Sequence, residues 1–417
     1  MTGNDGTISA RKQTSRGAGT ASRELTILFA ARAARGFGDG FAVIILPAYL
    51  SVLGFDPLVV GVVATASLVG SASLTLAIGH LAPYFELRSL FIAGALLMAA
   101  TGIAFPAFQS LAFILVVAFL GTVNPSAGDI GLLIPVEQSM LAHRAPDHAR
   151  TRIFARYSLT GALANASGAL AAAVPEFAAA HGLSPASALA AMFYLYAALG
   201  IVSTELYRRL PHQPPYAARS SSPLGPSRGI VYRLAALFSL DSFAGGFAVQ
   251  SLLALWLFRR FELSLAAASV FFFWSSVLSA LSYPVAAWVS RRCGLINTMV
   301  FTHIPSSICL IVAAFTPHLA VTLGLLLVRS TLSQMDVPTR TSYVMAVVTA
   351  PERTAAASVT AAPRSLAAAI SPSIAGLLMT TAFPGLPLVV CGVLKISYDI
   401  GLLFMFRHVK PSEERGP

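Results

Sequence analysis

Charged side chains recur inside stretches of this chain that are otherwise apolar enough to cross a bilayer. They are Arg32, Arg35 and Asp39, then Asp129, Arg156, Asp241, then Arg329, Asp336 and Arg340, then Arg364, and finally Lys395 and Asp399. A charge at the centre of a membrane helix costs at least about 2.5–3.5 kcal/mol on insertion scales, so such groups persist by facing water or one another. Their spacing supports both. Arg32, Arg35 and Asp39 fall at i, i+3 and i+7 and share one helix face, as do Arg329, Asp336 and Arg340 at i, i+7 and i+11. Arg35–Asp39 and Asp336–Arg340 are each four apart, so each pair can be neutralised within its own helix. Arginines in a wet cavity suit carboxylates and phosphates, and aspartates there can carry a proton. Arg32, Arg35, Arg329, Arg340 and Tyr343 are therefore candidate substrate contacts. Asp39, Asp129, Asp241 and Asp336 are candidate proton-coupling groups.

The remaining ionisable groups read differently. Lys395–Asp399, also four apart, is expected to be a local structural pair. Glu137 and Glu205 lie near the ends of apolar stretches, where they can reach water, and His303 reads as a packed or hydrogen-bonded residue. For Arg156 and Arg364, substrate contact and locking of helices against each other weigh equally.

The elements that must hold these groups follow from composition. Of 417 residues, 56% are hydrophobic and only 11% charged, against about a quarter charged in a soluble domain. Lipid must be the solvent. Apolar stretches of about 20 residues, the length of a bilayer crossing, recur at 26–52, 57–82, 89–107, 111–136, 153–174, 187–207, 231–257, 264–290, 295–315, 319–348, 355–382 and 386–406. The expected fold is an all-α membrane protein of twelve transmembrane helices. Placing both termini in the cytoplasm leaves only Arg259 and Arg260 in the outer segments, with the other loop and tail cations inside. Residues 1–23 are expected to be a disordered cytoplasmic tail; the run after them is too long for a signal peptide and lacks a cleavage site. Residues 24–208 form an N-terminal half of six helices, 209–229 a Pro- and Ser-rich cytoplasmic linker, 230–407 a second half of six, and 408–417 a tail.

Several functions are excluded on the way. The formal charge of +11 is not gathered on one soluble face, so no nucleic-acid partner is expected. The eight histidines and three cysteines have no metal-ligand spacing, and no nucleophile–base constellation suggests an enzyme. No cofactor is implied. There is no GxxxxGK[ST] loop for ATP, and GFGDG at 36–40 lacks the glycine pattern of a nucleotide loop. Gly36 and Gly40 instead have the small-xxx-small spacing that lets membrane helices approach closely.

The two halves look like copies. GFAV at 40–43 returns as GFAV at 246–249, and at the same offset Phe55 matches Phe261 and Asp56 matches Glu262. APD at 145–147 returns as APE at 350–352. Twelve spans in two repeated six-helix halves joined by a long loop resemble the major facilitator superfamily, over about residues 24–407. The family's best-known motif, Gly-x-Leu-Ala-Asp-Arg-x-Gly-Arg-Arg, is similar to GHLAPYFELRS at 79–89: Gly79, Leu81, Ala82 and Arg88 fit, and Pro83 and Glu86 depart. WVSRRCGLIN at 288–297 is the second copy, with Arg291 at the acidic position, Arg292 and Gly294. The resemblance implies that Gly79, Arg88, Arg291 and Arg292 form a cytoplasmic gating loop. It also implies that spans one, four, seven and ten line the cavity, each of which carries one of the four aspartates. Its exporters carry an arginine on span four and a Gly-Pro on span five; 119–131 holds no arginine and 156–172 no Gly-Pro.

The expected activity is secondary active transport by alternating access, with proton-coupled export of a small organic solute in the lead and uptake of an organic anion as the alternative. A membrane enzyme or receptor is the least favoured reading. The expected setting is a monomer, multi-pass, in a bacterial inner (plasma) membrane, with protons and a small-molecule substrate as partners.

Overall fold

A computed structural model describes the chain apart from residues 1–4, 82–83, 127–132, 145–149, 213–223, 350–351, 408 and 410–417, with backbone alone at 5–22, 79–80, 135, 139, 142–144, 150–151 and 354. In hydrocarbon every backbone N–H and C=O must find a partner within the chain, and helices achieve this segment by segment. The described residues accordingly form helices and no strand.

Span one is α1 (Asp5–Val52), span two α2 (Pro57–Leu81) and span three α3 (Leu87–Ala107). Span four is broken into α4 (Leu111–Leu120) and α5 (Ile134–Arg144). Span five is α6 (Arg150–Ala171), followed by the short α7 (Val174–Ala180), and span six is α8 (Pro185–Arg208). Span seven is α9 (Arg228–Gly246) and α10 (Gln250–Phe261); spans eight and nine are α11 (Leu265–Cys293) and α12 (Leu295–Phe315). Span ten is α13 (Leu319–Ser333) and α14 (Asp336–Val347), and spans eleven and twelve are α15 (Arg353–Leu378) and α16 (Leu386–Phe406). The tail expected to be irregular continues α1 back to Asp5; no proline there opposes propagation of a helix already nucleated in the span.

Seven of these spans, two, three, six, seven, eight, nine and twelve, are long and apolar enough to cross a membrane by length and composition. The other five have a physical reason to fall short. Span one holds the Arg32–Asp39 charges, spans four and ten are broken, and spans five and eleven are rich in Ala and small polar residues.

The breaks have local causes. In span four, Gly121 caps α4 and the chain turns at Asn124-Pro125, where the Asn124 Oδ1 accepts the Ser126 N–H at 2.9 Å. The freed Pro125 carbonyl accepts the Ser251 N–H of span seven at 3.1 Å. Span ten breaks at Gln334–Met335 rather than kinking at Pro338. Pro338 then stands in the first turn of α14, where a missing N–H is harmless.

The repeat seen in the sequence persists in space. Gly40 faces Asn165 so closely that a Cβ would stand 2.0 Å from its carbonyl oxygen, and 206 residues later a Cβ on Gly246 would stand 1.9 Å from the Ser371 Oγ. Span one therefore packs on span five as span seven packs on span eleven, and three on six as nine on twelve.

Three buried apolar clusters show how the halves meet. One contains Phe41–Leu46, Val60 and Phe193 of the first half together with Leu252–Leu257, Phe271 and Leu388 of the second. The other two belong to single halves. Ile27, Phe91, Leu141 and Leu210 pack in one, and Val231, Met299, Val344 and Phe406 in the other. The halves thus share a core at the end away from residues 25 and 406 and part at the end that carries those residues. Spans two and eleven form the tightest seam at the shared end: a Cβ on Gly61 would stand 2.3 Å from the Pro372 carbonyl oxygen. Ser373 seals it further, its N–H at 3.0 Å and its hydroxyl at 2.7 Å from Thr65 Oγ1.

Candidate functional site

Each half encloses one ionic cluster. In the first half, Glu137 on α5 has no exposed surface. It accepts hydrogen bonds from the Arg35 guanidinium on span one, from the Tyr157 hydroxyl on span five and from the Tyr207 hydroxyl on span six, the last at 2.5 Å. Arg32 is buried with its guanidinium 5.4 Å from the Tyr157 ring centre. A carboxylate that accepts from one guanidinium and two hydroxyls is a compact ion pair with its acceptor sites occupied. Asp39, half-buried and one turn further on, accepts a long 3.4 Å contact from the Tyr196 hydroxyl, which itself lies 3.0 Å from Thr122 Oγ1. Arg35, Asp39, Asn124 and Tyr196 line a cavity of about 30 Å³, room for a water molecule and not for a solute.

The second cluster crosses more helices. Asp241 on span seven accepts 2.7 Å bonds from Arg340 on span ten and from Lys395 on span twelve. Arg340 also pairs with Asp336, and its guanidinium lies 5.0 Å from the Phe238 ring centre and 5.9 Å from that of Tyr398. His303 on span nine joins through both ring nitrogens. Its Nδ1 lies 3.1 Å from both carboxylate oxygens of Asp399, and its Nε2 lies 3.3 Å from the Lys395 Nζ. These partners assign a neutral imidazole, with Nδ1–H donating to Asp399 and Nε2 accepting from the ammonium. The ion-paired part of the cluster sets three carboxylates against Arg340 and Lys395, and the Arg364 guanidinium, close enough to act electrostatically on Asp241 and Asp336, supplies a third cation.

Two expectations about pairing are corrected. Arg35 bonds Glu137 rather than its helix neighbour Asp39, because the inward-set α5 brings a fully buried carboxylate to it; Glu137 does not reach water. Lys395 and Asp399, neighbours on one helix, take separate partners, Asp241 and His303, because a helix packed on two others meets those partners first. The Asp336–Arg340 pair forms as expected, and His303 is packed and hydrogen-bonded as expected.

The other candidates are placed as follows. Asp129 lies outside the described residues, and Gly79 lies on α2 in a stretch described by its backbone alone. Arg329 is half-buried, with no carboxylate partner among the described residues. Tyr343 is fully buried and donates its hydroxyl to the Val409 carbonyl at 3.1 Å, which sets it inside the second half's own core. Arg364 donates from Nε to the Ser242 hydroxyl at 3.1 Å, tying span eleven to span seven. Arg156 is exposed.

Comparison with known proteins adds a decisive observation. The family model described as Major Facilitator Superfamily matches residues 28–328. The chain belongs to the major facilitator superfamily. An uncharacterized membrane protein of Saccharomyces cerevisiae, YJR124C, is 22% identical over 93% of this chain and 94% of its own length. Among solved structures, the nucleoside transporter NupG is similar with a TM-score of 0.72 and 13% identity, covering 93% of this chain and 99% of that one. The inward-open xylose transporter XylE of E. coli is similar at 0.70 and 14%, covering 94% and 97%. The human organic anion transporter MFSD10 is similar at 0.63 and 15%, covering 92% and 99%. The fold is therefore the twelve-helix arrangement of this superfamily, a multi-pass membrane protein built for secondary transport.

Within the superfamily's frame, Arg88 donates to the Arg208 carbonyl at 2.7 Å and so ties the start of span three to the end of span six. Arg292 stacks on Trp288 at 4.3 Å, and Arg291 is exposed. Reading by charge and spacing missed Glu137 and its two tyrosines. The available signal was the 206-residue offset. It relates Arg35 to Asp241 and Glu137 to Tyr343, so that span one meets span four through a cation on span one, and span seven meets span ten through an anion on span seven.

Proposed function

We propose that this superfamily member is a proton-coupled transporter that exports a small organic solute by alternating access about the seam between its halves. The observation that carries the reading is the second cluster, in which a buried histidine bridges Asp399 to Lys395. A proton added to His303 Nε2 would turn that nitrogen from an acceptor into a second cation beside the Lys395 ammonium. Lys395 would then withdraw, and Asp241, 3.9 Å from Nε2, would become the imidazolium's partner. Asp241 also holds Arg340, so the change would reach span ten. Protonation thus rearranges contacts among spans seven, nine, ten and twelve, a discrete change of the sort that biases a two-state element. Arg35 and Arg340 are already neutralised by carboxylates, which favours a neutral or cationic solute over an anion at those residues.

The test is reconstitution in liposomes with an imposed pH gradient and an internal pH dye. Solute-dependent proton flux is expected in the wild type and lost in Asp399→Asn and His303→Gln. Transport that ignores the gradient and survives both changes would remove the coupling.

A second reading, uptake of an organic anion, rests on Arg364, whose side chain is held by a hydroxyl rather than a carboxylate. Loss of anion transport in Arg364→Gln, with neutral solutes unaffected, would favour it.

A further inference from the structure

A second seam joins the halves where span five packs on span eight. At the shared end it closes on one charged contact. Glu176, on the short α7 that follows span five, accepts the Ala266 N–H of span eight through Oε2 at 2.7 Å. Deeper in the same seam the Ser276 hydroxyl lies a long 3.4 Å from Asn165 Oδ1. The Glu176 contact is therefore the shorter of the two, and it is charge-assisted.

The chemistry of the two helix starts shows what this carboxylate serves. The first N–H groups of a helix have no acceptor within it. Span eight begins at the N-cap Ser264, whose hydroxyl accepts the Ala267 N–H at 3.2 Å. The acid that completes such a cap within one helix stands three residues on, and here that position is Ala267. The Ala266 N–H is met instead by a carboxylate from the other half, which also lies at the favourable end of the helix dipole. Glu176 meanwhile stands in the first turn of α7, where a Glu ordinarily serves its own helix start, yet α7 has no side-chain cap. Its carboxylate joins the halves and leaves its own helix uncapped. The other ties at this end, the Ser251 N–H on the Pro125 carbonyl and Ser373 on Thr65, pair neutral groups.

We propose that Glu176 is a gating residue, whose carboxylate latches the shared end closed and sets how often the halves part there. The latch rests on the alternating-access reading above, and needs neither the proton coupling nor a particular solute. Parting at this end must break the bond, because its donor and acceptor belong to different halves. Glu176 is exposed and Ala266 half-buried, so water takes up both groups once they separate. The bond thus biases the two states without forbidding either. A contact made in one state and absent from the other is the differential interaction that a population shift requires.

The test uses the full chain in nanodiscs, with its three cysteines replaced by Ala and spin labels at Leu183→Cys and His318→Cys. Both positions are exposed, at the shared end of opposite halves. Glu176→Ala is expected to raise the fraction at the longer distance about fivefold, the loss of one exposed charge-assisted hydrogen bond at a helix start. Glu176→Gln, which keeps an acceptor without the charge, should fall between. Adding Ala267→Glu to Glu176→Ala supplies the missing acid within span eight and repairs the helix start without relinking the halves. The longer distance should then persist; a return to the wild-type distribution would show a capping role alone and overturn the latch. Two wild-type populations whose ratio is unchanged in Glu176→Ala would overturn the latch and leave alternating access standing. A single distance in wild type and variant alike would overturn both.

Discussion

Replacing Glu137 by Gln removes the carboxylate bonded to Arg35 while keeping the side chain's shape. The structure fixes what is lost. Glu137 is fully buried and the Arg35 side chain is 9% exposed, so the guanidinium would be left with no bonded carboxylate and only Asp39, one turn on, as a partial counter-charge. Breaking a buried pair in this way costs about 3–5 kcal/mol. Asp39 and the small cavity beside Arg35, which admits a water, offset part of the charge, so we take the lower end, about 3 kcal/mol. The substituted amide would also present an NH₂ group to a shell made entirely of donors, Arg35, Tyr157 and Tyr207. Removing both charges, as in Arg35→Met with Glu137→Gln, should restore most of that loss, because the buried charge goes with its partner. Reversible unfolding in mixed micelles, run as a double-mutant cycle, measures the coupling directly. If Glu137→Gln unfolds like the wild type, or if the double variant is no more stable than the single, the cage is not a desolvated ion pair and the argument fails.

Four other perturbations follow from the same geometry. Gly40→Ala drives a Cβ into the backbone carbonyl of Asn165 and should cost about 1–3 kcal/mol by overpacking, whereas the nearest atoms to a Cβ at Gly161 belong to the end of the Arg32 side chain rather than to backbone, so Gly161→Ala should cost less, by the same unfolding assay. Gly61→Ala wedges the seam between spans two and eleven, so spin labels across the shared end should move apart relative to the wild type; an unchanged distance distribution would count against the seam. Lys395→Gln leaves Asp241 with Arg340 alone and should lower stability by about 2 kcal/mol, with the loss reduced in Lys395→Gln combined with Asp399→Asn. Glu352, in the turn before span eleven, has its carboxylate held by the hydroxyls of Ser227 and Thr349 and by the Gly225 N–H, which lower its pKa from 4.5 to about 2. A lowered acid stabilises the folded state fully above its ordinary pKa and loses that contribution as pH falls towards the folded value. The stability gap between wild type and Glu352→Gln should therefore be constant above pH about 5 and shrink below it; a gap independent of pH down to about 3 would refute the assignment.

Which apolar stretches carry buried charges was legible in the sequence, and which of those charges touch was not. A charge inside an apolar run announces itself by its cost, which is why Arg35, Asp241, Asp336 and Arg340 could be picked out without coordinates. Partner choice depends on how helices are set against each other. Four-residue spacing predicted Asp336–Arg340 correctly because both sit in the first turns of α14 on one side. The same rule failed for Lys395 and Asp399, whose helix packs against spans seven and nine and meets Asp241 and His303 there. Glu137 was obscured by the break in span four. Counted along an unbroken helix it falls at the membrane's edge, but α5 begins anew at Ile134 and points it inward. The helix repeat itself was legible, since GFAV at its two positions marks the same close crossing in both halves.

The placement of the shared core also has a mechanical meaning. A pair of rigid bodies joined near one end is a lever, and its gain is set by the length beyond the joint. With α2 of 25 residues, about 37 Å long, a rotation of about 10° about the joint moves the far tips by roughly 6 Å. A displacement of that size opens or closes a path for a small solute, while each contact inside the joint shifts by a fraction of it. Adjustments too small to disturb packing at Gly61 and Gly376 are thereby magnified where the halves stand apart.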